Sequence, residues 1–303
     1  MSSLSNFCQA CNKFATLKLN EPLNKYTSFQ TGGPAEILVF PNSRADLLKI
    51  IREASQESLP ITVIGGGSNL LVPDEGLRGL VICLKQPNAE DKLISFKEDG
   101  SIYAESALLK KDFINYALDH VYQGIEFMVG IPGTIGGGIF MNAGTNKGVF
   151  SDILTKVDFI DKKGSLQSVN ITKNNSGYRK IDLGESSIIL GGYFSLPKAE
   201  NKNKLKEEID SICQERRQKH PLEYPSAGSV FKNPKNGLAW QLIDQSGLKG
   251  FKLGGAMVSE KHTNFIINYN QATSFDIKNL IELVQEKVLQ KFNIFLEPEI
   301  IFL

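Results

Sequence analysis

Long apolar runs, an excess of one charge and metal-binding spacings are all missing from this sequence. No stretch reaches the ~18 consecutive apolar residues that a helix needs to cross a bilayer. Residues 1–14 are polar and show no basic start followed by an apolar stretch, so no secretory signal is expected. The 34 Lys and Arg residues balance 33 Asp and Glu residues to a net charge of +1, which predicts no field that attracts nucleic acid or acidic lipid. We therefore expect a cytoplasmic protein, with no membrane span and no nucleic-acid partner, that holds any anionic ligand by local contacts.

Metal coordination is not expected either. The three histidines are scattered without an HxxxH pattern. Cys8 and Cys11 form one CxxC pair, but the other two cysteines stand singly and provide no second pair. A zinc or redox site therefore has little support, and reduced thiols in a flexible leader are the favoured interpretation.

The composition is that of a globular protein of two domains. Hydrophobic residues make up 41% and charged residues 22% of the 303 residues, which is longer than one typical domain. Residues 1–20 are predicted to be a leader with a short helix. Strands and helices then alternate, which is typical of an α/β domain, and we assign residues 21–197 to it. A polar, charged connector follows, and residues 205–303 are predicted to form a C-terminal domain.

Several elements are predicted from local patterns. Ser43 followed by Asp46 resembles a helix capping box. The apolar run Ile61–Ile64 predicts a buried strand. Two later helices are predicted from apolar residues at helical spacing: one contains Leu205, Ile209 and Ile212, and the other follows Asp276.

The strand Ile61–Ile64 runs into a glycine-rich turn of the kind that can hold a phosphate. Glycines allow the backbone to take φ > 0 and to bring its amides close to an anion, and a serine can donate one more hydrogen bond. Leu70 stands where a Rossmann motif needs its third glycine, and no GK[ST] follows as in a P-loop. A purely structural turn is the alternative. The predicted cofactor-binding residues of this turn are Gly65, Gly66, Gly67, Ser68 and Asn69.

A second glycine-rich cluster favours the phosphate interpretation. Pro132 fits the first turn of a helix, so that Gly133, Thr134 and Ile135 can present free amides at its positive end. Two such turns in one domain suit a diphosphate. The predicted cofactor-binding residues here are Gly130, Gly133, Thr134, Gly137 and Asn142.

These clusters, together with the segment Asn24–Ala35 and the string Pro225-Ser226-Ala227-Gly228-Ser229-Val230-Phe231-Lys232-Asn233-Pro234, resemble the UDP-N-acetylenolpyruvoylglucosamine reductase (MurB) family. Tyr178-Arg179 and Leu296-Glu297-Pro298-Glu299 match it as well, and the likeness runs from about residue 20 to the end. The resemblance implies an α+β protein: an FAD-binding domain of the PCMH type, built from two α/β subdomains, followed by a smaller α+β substrate-binding domain. About 36 residues separate Gly192 from Ser229, which resembles the shorter class of the family. His220 departs from the family pattern, since glutamine is common there.

The resemblance implies that Arg179, Ser229 and Glu299 are catalytic. Arg179 suits the carboxylate of an enol ether substrate, because its guanidinium is always charged and fork-shaped. Ser229 would protonate the carbon next to the one that receives a hydride, and Glu299 would help if it is protonated or polarising. Tyr178, Lys232 and Asn233 are the predicted substrate-binding residues, the last two by charge and amide hydrogen bonds.

The implied activity is reduction of an enolpyruvyl UDP-sugar by NADPH through bound FAD, in a protein that we expect to be a monomer. Two alternatives stay open. A flavin-dependent oxidase of a hydroxy acid or sugar would explain the glycine turns, but not the three catalytic residues together. A non-enzymatic nucleotide-binding module would need no such set.

Overall fold

The computed structural model describes residues 3–84, 93–161, 164–184 and 187–303. The chain divides into two compact units. Unit 1 comprises Met1–Lys18, Ile37–Gly66 and Gly79–Gln214. Unit 2 comprises Leu19–Glu36, Gly67–Arg78 and Glu215–Leu303. In the described ranges, no helix combines the length and the apolar character that crossing a membrane would need.

Helices and strands alternate irregularly along the described chain. The α-helices are α1 Ser3–Cys11, α2 Arg44–Gln56, α3 Lys110–Asp119, α4 Ile135–Phe140, α5 Phe150–Ile153, α6 Lys202–Lys219, α7 Ala239–Gln245 and α8 Ser274–Phe292. The strands up to the middle of the chain are β1 Ala15–Pro22, β2 Pro34–Pro41, β3 Ile61–Ile64, β4 Leu70–Leu71, β5 Leu77–Cys83, β6 Ile94–Phe96, β7 Ile102–Glu105, β8 Gly144–Thr145, β9 Gly148–Val149 and β10 Leu154–Ile160. The later strands are β11 Leu166–Asn170, β12 Ser176–Gly177, β13 Lys180–Ile181, β14 Ile188–Phe194, β15 Ser226–Ser229, β16 Lys252–Leu253, β17 Ala256–Val258, β18 Phe265–Asn268 and β19 Ile301–Phe302.

Most residues of two sheets belong to unit 1. One has the strand order β1-β2-β5-β3, and β3 runs parallel to β5. The other has the order β11-β10-β14-β7-β6 and is antiparallel at each pair of neighbours. The predicted start of α2 is confirmed, because the Ser43 side chain accepts a hydrogen bond from the Asp46 amide at 3.1 Å. The predicted strand Ile61–Ile64 is β3, but it is not buried throughout: Ile64 is buried, whereas Ile61, Thr62 and Val63 are half-buried.

The N-terminal segment that the sequence predicts to be a flexible leader is folded over its described part. Phe7 and Cys11 of α1 are fully buried, in a core with residues of β2, α2 and β5. The four cysteines are free thiols. Burial raises the pKa of the Cys11 thiol to about 12, with further increases from Glu53 and Cys8. The thiol therefore stays protonated and behaves as a small apolar side chain.

Helix α6 has the buried face that the sequence predicts, but its position differs. Leu205, Ile209 and Ile212 are buried in the main core of unit 1, with Phe113 of α3 and Ile139 of α4 among their neighbours in that cluster. The predicted C-terminal domain begins at residue 205, whereas unit 2 takes up the chain only at Glu215 and also includes two N-terminal segments.

Unit 2 contains an antiparallel sheet of order β15-β18-β17-β16 with α8 against it. The helix predicted to follow Asp276 begins at Ser274, two residues before Asp276, because Thr273 and Asp276 form a reciprocal capping box. β19 pairs in parallel with β4. This short pair connects the last residues of the chain to the segment that follows the first glycine turn.

Candidate active site

Residues of the two predicted glycine turns are in contact within unit 1. Strand β3 ends at Ile64, and Gly65 and Gly66 follow it directly. A Cβ atom added to Gly66 would lie 2.6 Å from the Cα atom of Gly133, and one added to Gly65 would lie 2.6 Å from Oγ1 of Thr134. These distances leave no room for a side chain at either glycine, so the first turn packs directly on the Gly133 backbone and on the Thr134 hydroxyl. This arrangement fits a diphosphate held by main-chain groups from both turns.

The second turn differs from the predicted one in where its helix begins. Helix α4 starts at Ile135 with Thr134 as its N-cap, so Pro132 precedes the helix. Thr134 is 1% exposed, and its Oγ1 accepts a hydrogen bond from the Gly137 amide at 3.3 Å. The Ile135 amide donates to the Leu108 carbonyl at 2.8 Å. The prediction of a free amide at Ile135 is therefore wrong, because this edge of the turn pairs with a neighbouring segment.

The other predicted glycines of these turns lie in different surroundings. Gly67 belongs to unit 2 and has a φ of +63°; a Cβ atom added there would lie 1.8 Å from the Tyr26 carbonyl oxygen. Gly130 and Gly137 are exposed. Ser68, next to Gly67, also lies in unit 2. Cofactor binding by these residues stays a prediction.

Arg179 lies at the tip of a hairpin in unit 1. Strands β12 and β13 pair with Gly177 opposite Lys180, which leaves Tyr178 and Arg179 as the two turn residues. Arg179 has a φ of 58°, its Nη1 donates to the Gly144 carbonyl at 3.2 Å, and its guanidinium carbon lies 5.2 Å from the centre of the Tyr178 ring. Tyr178 is 58% exposed. The hairpin thus presents an aromatic ring and a cation side by side.

Ser229 and Glu299 are brought to neighbouring backbone segments in unit 2. Ser229 ends β15 and pairs with Phe265 of β18. The Glu299 amide donates to the carbonyl of Val230 at 2.7 Å, and Phe231 pairs with Pro298. The predicted proton donor and carboxylate therefore lie on two adjacent strand-like segments, although 69 residues of sequence separate the two. Arg179 belongs to unit 1.

Two asparagines fix these segments. Asn69 donates from Nδ2 to the main-chain carbonyl of Glu299 at 3.0 Å, and its own carbonyl accepts from the Ile301 amide. Asn264 accepts from the Phe231 amide at 3.0 Å and donates to the Phe231 carbonyl at 2.8 Å. Asn69 is a predicted cofactor-binding residue, whereas Asn264 is not among the predicted site residues. A residue that bonds a backbone segment across more than thirty positions gives no local signal.

The predicted substrate-binding residues Lys232 and Asn233 have partners in unit 2. Lys232 Nζ lies 2.5 Å from Oε1 of Glu297, and the Lys232 side chain is 26% exposed. Oδ1 of Asn233 accepts the Ala239 amide at 3.0 Å and so caps the start of α7. An anionic ligand would therefore share Lys232 with Glu297.

A cluster of aromatic and imidazole rings lies in unit 2. The rings of His220 and His262 are 5.5 Å apart, and Phe265 lies 4.9 Å from each. Trp240 lies 6.4 Å from His262. Burial lowers the pKa of His220 to about 4, with Arg216 adding to the decrease, and burial also lowers the pKa of His262. Both rings are therefore neutral at pH 7.

A family model described as "FAD binding domain" matches residues 35–170, which assigns the chain to the FAD-binding flavoproteins. A second model, described as "UDP-N-acetylenolpyruvoylglucosamine reductase, C-terminal domain", matches residues 220–303. The chain belongs to the UDP-N-acetylenolpyruvoylglucosamine reductase family. The predicted family and the predicted fold class, an FAD-binding domain followed by a smaller α+β domain, are confirmed.

Relatives and a solved structure support this assignment over nearly the whole chain. A UDP-N-acetylenolpyruvoylglucosamine reductase from Caldanaerobacter subterraneus subsp. tengcongensis is 41% identical over 95% of this chain and 94% of the relative. One from Listeria innocua is 40% identical over 97% of each. The crystal structure of UDP-N-acetylenolpyruvylglucosamine reductase (MurB) from Thermus caldophilus has a TM-score of 0.77 and 30% identity, and covers 95% of this chain and 98% of its own. These similarities support the reductase interpretation over the oxidase alternative.

Proposed function

We propose that this chain reduces UDP-N-acetyl-3-O-(1-carboxyvinyl)-glucosamine, an enolpyruvyl ether, to UDP-N-acetylmuramate with NADPH and bound FAD, a step of peptidoglycan precursor synthesis. The observation that carries the proposal is the pairing of the Ser229 and Glu299 segments in a chain that is 40% or more identical to reductases of that name. The substrates NADPH and a UDP-sugar are cytoplasmic metabolites, so we place the reaction in the cytoplasm.

Each catalytic residue has a role that its chemistry can perform. FAD, when bound, supplies hydride transfer from NADPH to the alkene of the substrate. Arg179 binds the substrate carboxylate and stabilises the negative charge that develops on it. Ser229 protonates the adjacent carbon, because a carbanion is basic enough to take a proton from a weak acid. Glu299 supports this charge redistribution through a hydrogen bond.

The binding residues follow from the geometry of each unit. The contact between Gly66 and Gly133 supports a diphosphate-binding role for the two turns. The exposed Tyr178 ring and the Lys232 ammonium are available to the sugar nucleotide, the latter while it contacts Glu297. We assign Asn233 to substrate binding through its carboxamide, whose Oδ1 also accepts the Ala239 amide at the start of α7.

The proton-donor role of Ser229 is tested by Ser229→Ala in anaerobic stopped-flow measurements. The variant should retain FAD and should be reduced by NADPH at the wild-type rate, because neither event needs the hydroxyl. Reoxidation of the flavin by the enolpyruvyl sugar should slow by about 100- to 10,000-fold, the usual contribution of a positioned general acid.

Ser226→Ala is the matched control, since Ser226 occupies the other end of β15. It should reoxidise with the sugar as the wild type does. Near-normal turnover in Ser229→Ala would contradict the proton-donor role. A wild-type flavin that the sugar does not reoxidise, but that oxygen and a hydroxy acid turn over, would contradict the proposed function itself.

A further inference from the structure

Asn142 is a buried polar residue of unit 1 that follows helix α4, beyond the second glycine turn. It comes two residues after α4, is 2% exposed and has a φ of 39°. This left-handed conformation is tolerated by asparagine better than by most other residues, and it ends the helix. The sequence predicts that Asn142 binds the cofactor.

Both polar atoms of the Asn142 carboxamide are hydrogen-bonded within the protein. Oδ1 accepts the Ser151 amide at 2.9 Å, at the start of α5. Nδ2 donates to the Gly177 carbonyl at 2.8 Å and to Ser151 Oγ at 3.1 Å. Both amide hydrogens are therefore committed within unit 1, which leaves one lone pair of Oδ1 for any other partner.

Gly177 is the last residue before the turn that carries Arg179. The segment 142–144 makes two hydrogen bonds to this hairpin. Asn142 donates to the Gly177 carbonyl, and the Gly144 carbonyl accepts from the Arg179 guanidinium at 3.2 Å. The segment is itself held, since Ala143 bonds to the backbone of α4 and of α5. Arg179 has a φ of 58°, a conformation that persists only where the surrounding structure supports it.

We propose that Asn142 is a positioning residue for Arg179: its carboxamide holds the Tyr178-Arg179 hairpin through the Gly177 carbonyl, and it does not bind FAD. The inference rests on the proposed function, because it assigns Arg179 to the substrate carboxylate. A small displacement of such a group reduces the rate of the step it serves and leaves the other steps unchanged.

The test compares holoenzymes of Asn142→Asp and Asn142→Gly with wild type. Asn142→Asp keeps the acceptor for Ser151 and removes the donor to Gly177, while Asn142→Gly removes the side chain without adding charge and accepts the positive φ. Both should retain FAD at the wild-type ratio and should be reduced by NADPH at the wild-type rate. Reoxidation by the enolpyruvyl sugar should slow by about 10- to 100-fold.

A double-mutant cycle separates positioning from a general structural effect. If Asn142 acts through Arg179, the double variant Asn142→Asp/Arg179→Ala should reoxidise at the rate of Arg179→Ala alone. Asn175→Asp is the matched control, because Asn175 also donates to a main-chain carbonyl, that of Asn170, beside the hairpin. It should behave as wild type.

Three outcomes would overturn the inference. Loss of FAD in the Asn142 variants would restore the cofactor-binding role. Unchanged reoxidation would show that the hairpin does not need this contact, and losses that multiply in the double variant would show that Asn142 acts independently of Arg179. Failure of the proposed function is a separate result, since the wild-type flavin itself would then not be reoxidised by the sugar.

Discussion

A single missing Cβ atom decides whether the two glycine turns can meet. Gly66 faces the Cα atom of Gly133, which is backbone and cannot rotate away, whereas Gly65 faces the hydroxyl of Thr134. At Gly137 an added Cβ atom would meet only Thr134 Oγ1, at 3.6 Å. Replacing glycine by alanine is therefore expected to weaken FAD binding to different extents at these three glycines of the predicted site.

We expect Gly66→Ala to weaken FAD binding by about 10- to 100-fold, because an overpacked contact of ~1–3 kcal/mol pushes the two turns apart. Gly65→Ala should lose less affinity for FAD, since the Thr134 hydroxyl that it would contact is a side-chain group and can move. The dissociation constant of FAD from reconstituted apoprotein measures both. A Gly137→Ala variant that loses FAD as strongly as Gly66→Ala would show that contact with the cofactor, and not packing between the turns, controls affinity.

At the scale of elements, one side chain bonds both main-chain groups of Phe231 in the segment that follows strand β15. Asn264 is 5% exposed, and its carboxamide bonds both the amide and the carbonyl of Phe231, while its own carbonyl accepts the Val230 amide. An asparagine here does what a neighbouring strand would otherwise do. It bonds the residues that follow Ser229 just beyond Phe265, the end of β18 that pairs with Ser229.

Asn264→Ala should lower the free energy of unfolding by roughly 2–4 kcal/mol, because it leaves two buried main-chain groups of Phe231 unpaired. Urea unfolding followed by fluorescence measures the loss. The control is Asn270→Ala, an exposed asparagine just after β18, which should change stability by no more than about 0.5 kcal/mol. Equal effects of the two variants would mean that the Asn264 carboxamide does not support this segment.

At the scale of the whole molecule, local signals in the sequence predict elements better than they predict the site. The cap at Ser43, strand β3 and the buried face of α6 follow from residues a few positions apart, and all three are confirmed. The family resemblance adds the proposed catalytic residues, which stay a prediction. What the sequence could not provide are bonds across long separations, such as those from Asn69 to Glu299 and from Asn142 to Gly177, because they depend on the completed topology.

The fluorescence of a single tryptophan can report the unfolding of unit 2. Trp240 is the only tryptophan and lies in unit 2, close to the ring cluster of His220 and His262. The Nδ1 atom of His220 is buried, with no hydrogen-bond partner among the described residues. Protonation of this ring is therefore unfavourable in the folded chain.

The stability of the protein should consequently fall as the pH is lowered from about 6.5 to about 4. Burial lowers the pKa of His220 from its ordinary value of 6.5 to about 4, so in this window the unfolded chain binds a proton that the folded chain does not. We expect urea unfolding, followed by Trp240 fluorescence, to show wild type losing more stability between pH 7.5 and pH 5 than His220→Gln, by on the order of 1 kcal/mol after allowance for the partial exposure of the ring. His262 also lowers the pKa of His220 and its ring lies 5.5 Å away, so the difference between the two proteins reports the His220–His262 pair. His120→Gln, at the exposed end of α3, should retain the wild-type dependence; a slope that persists unchanged in His220→Gln would assign the pH sensitivity to other groups.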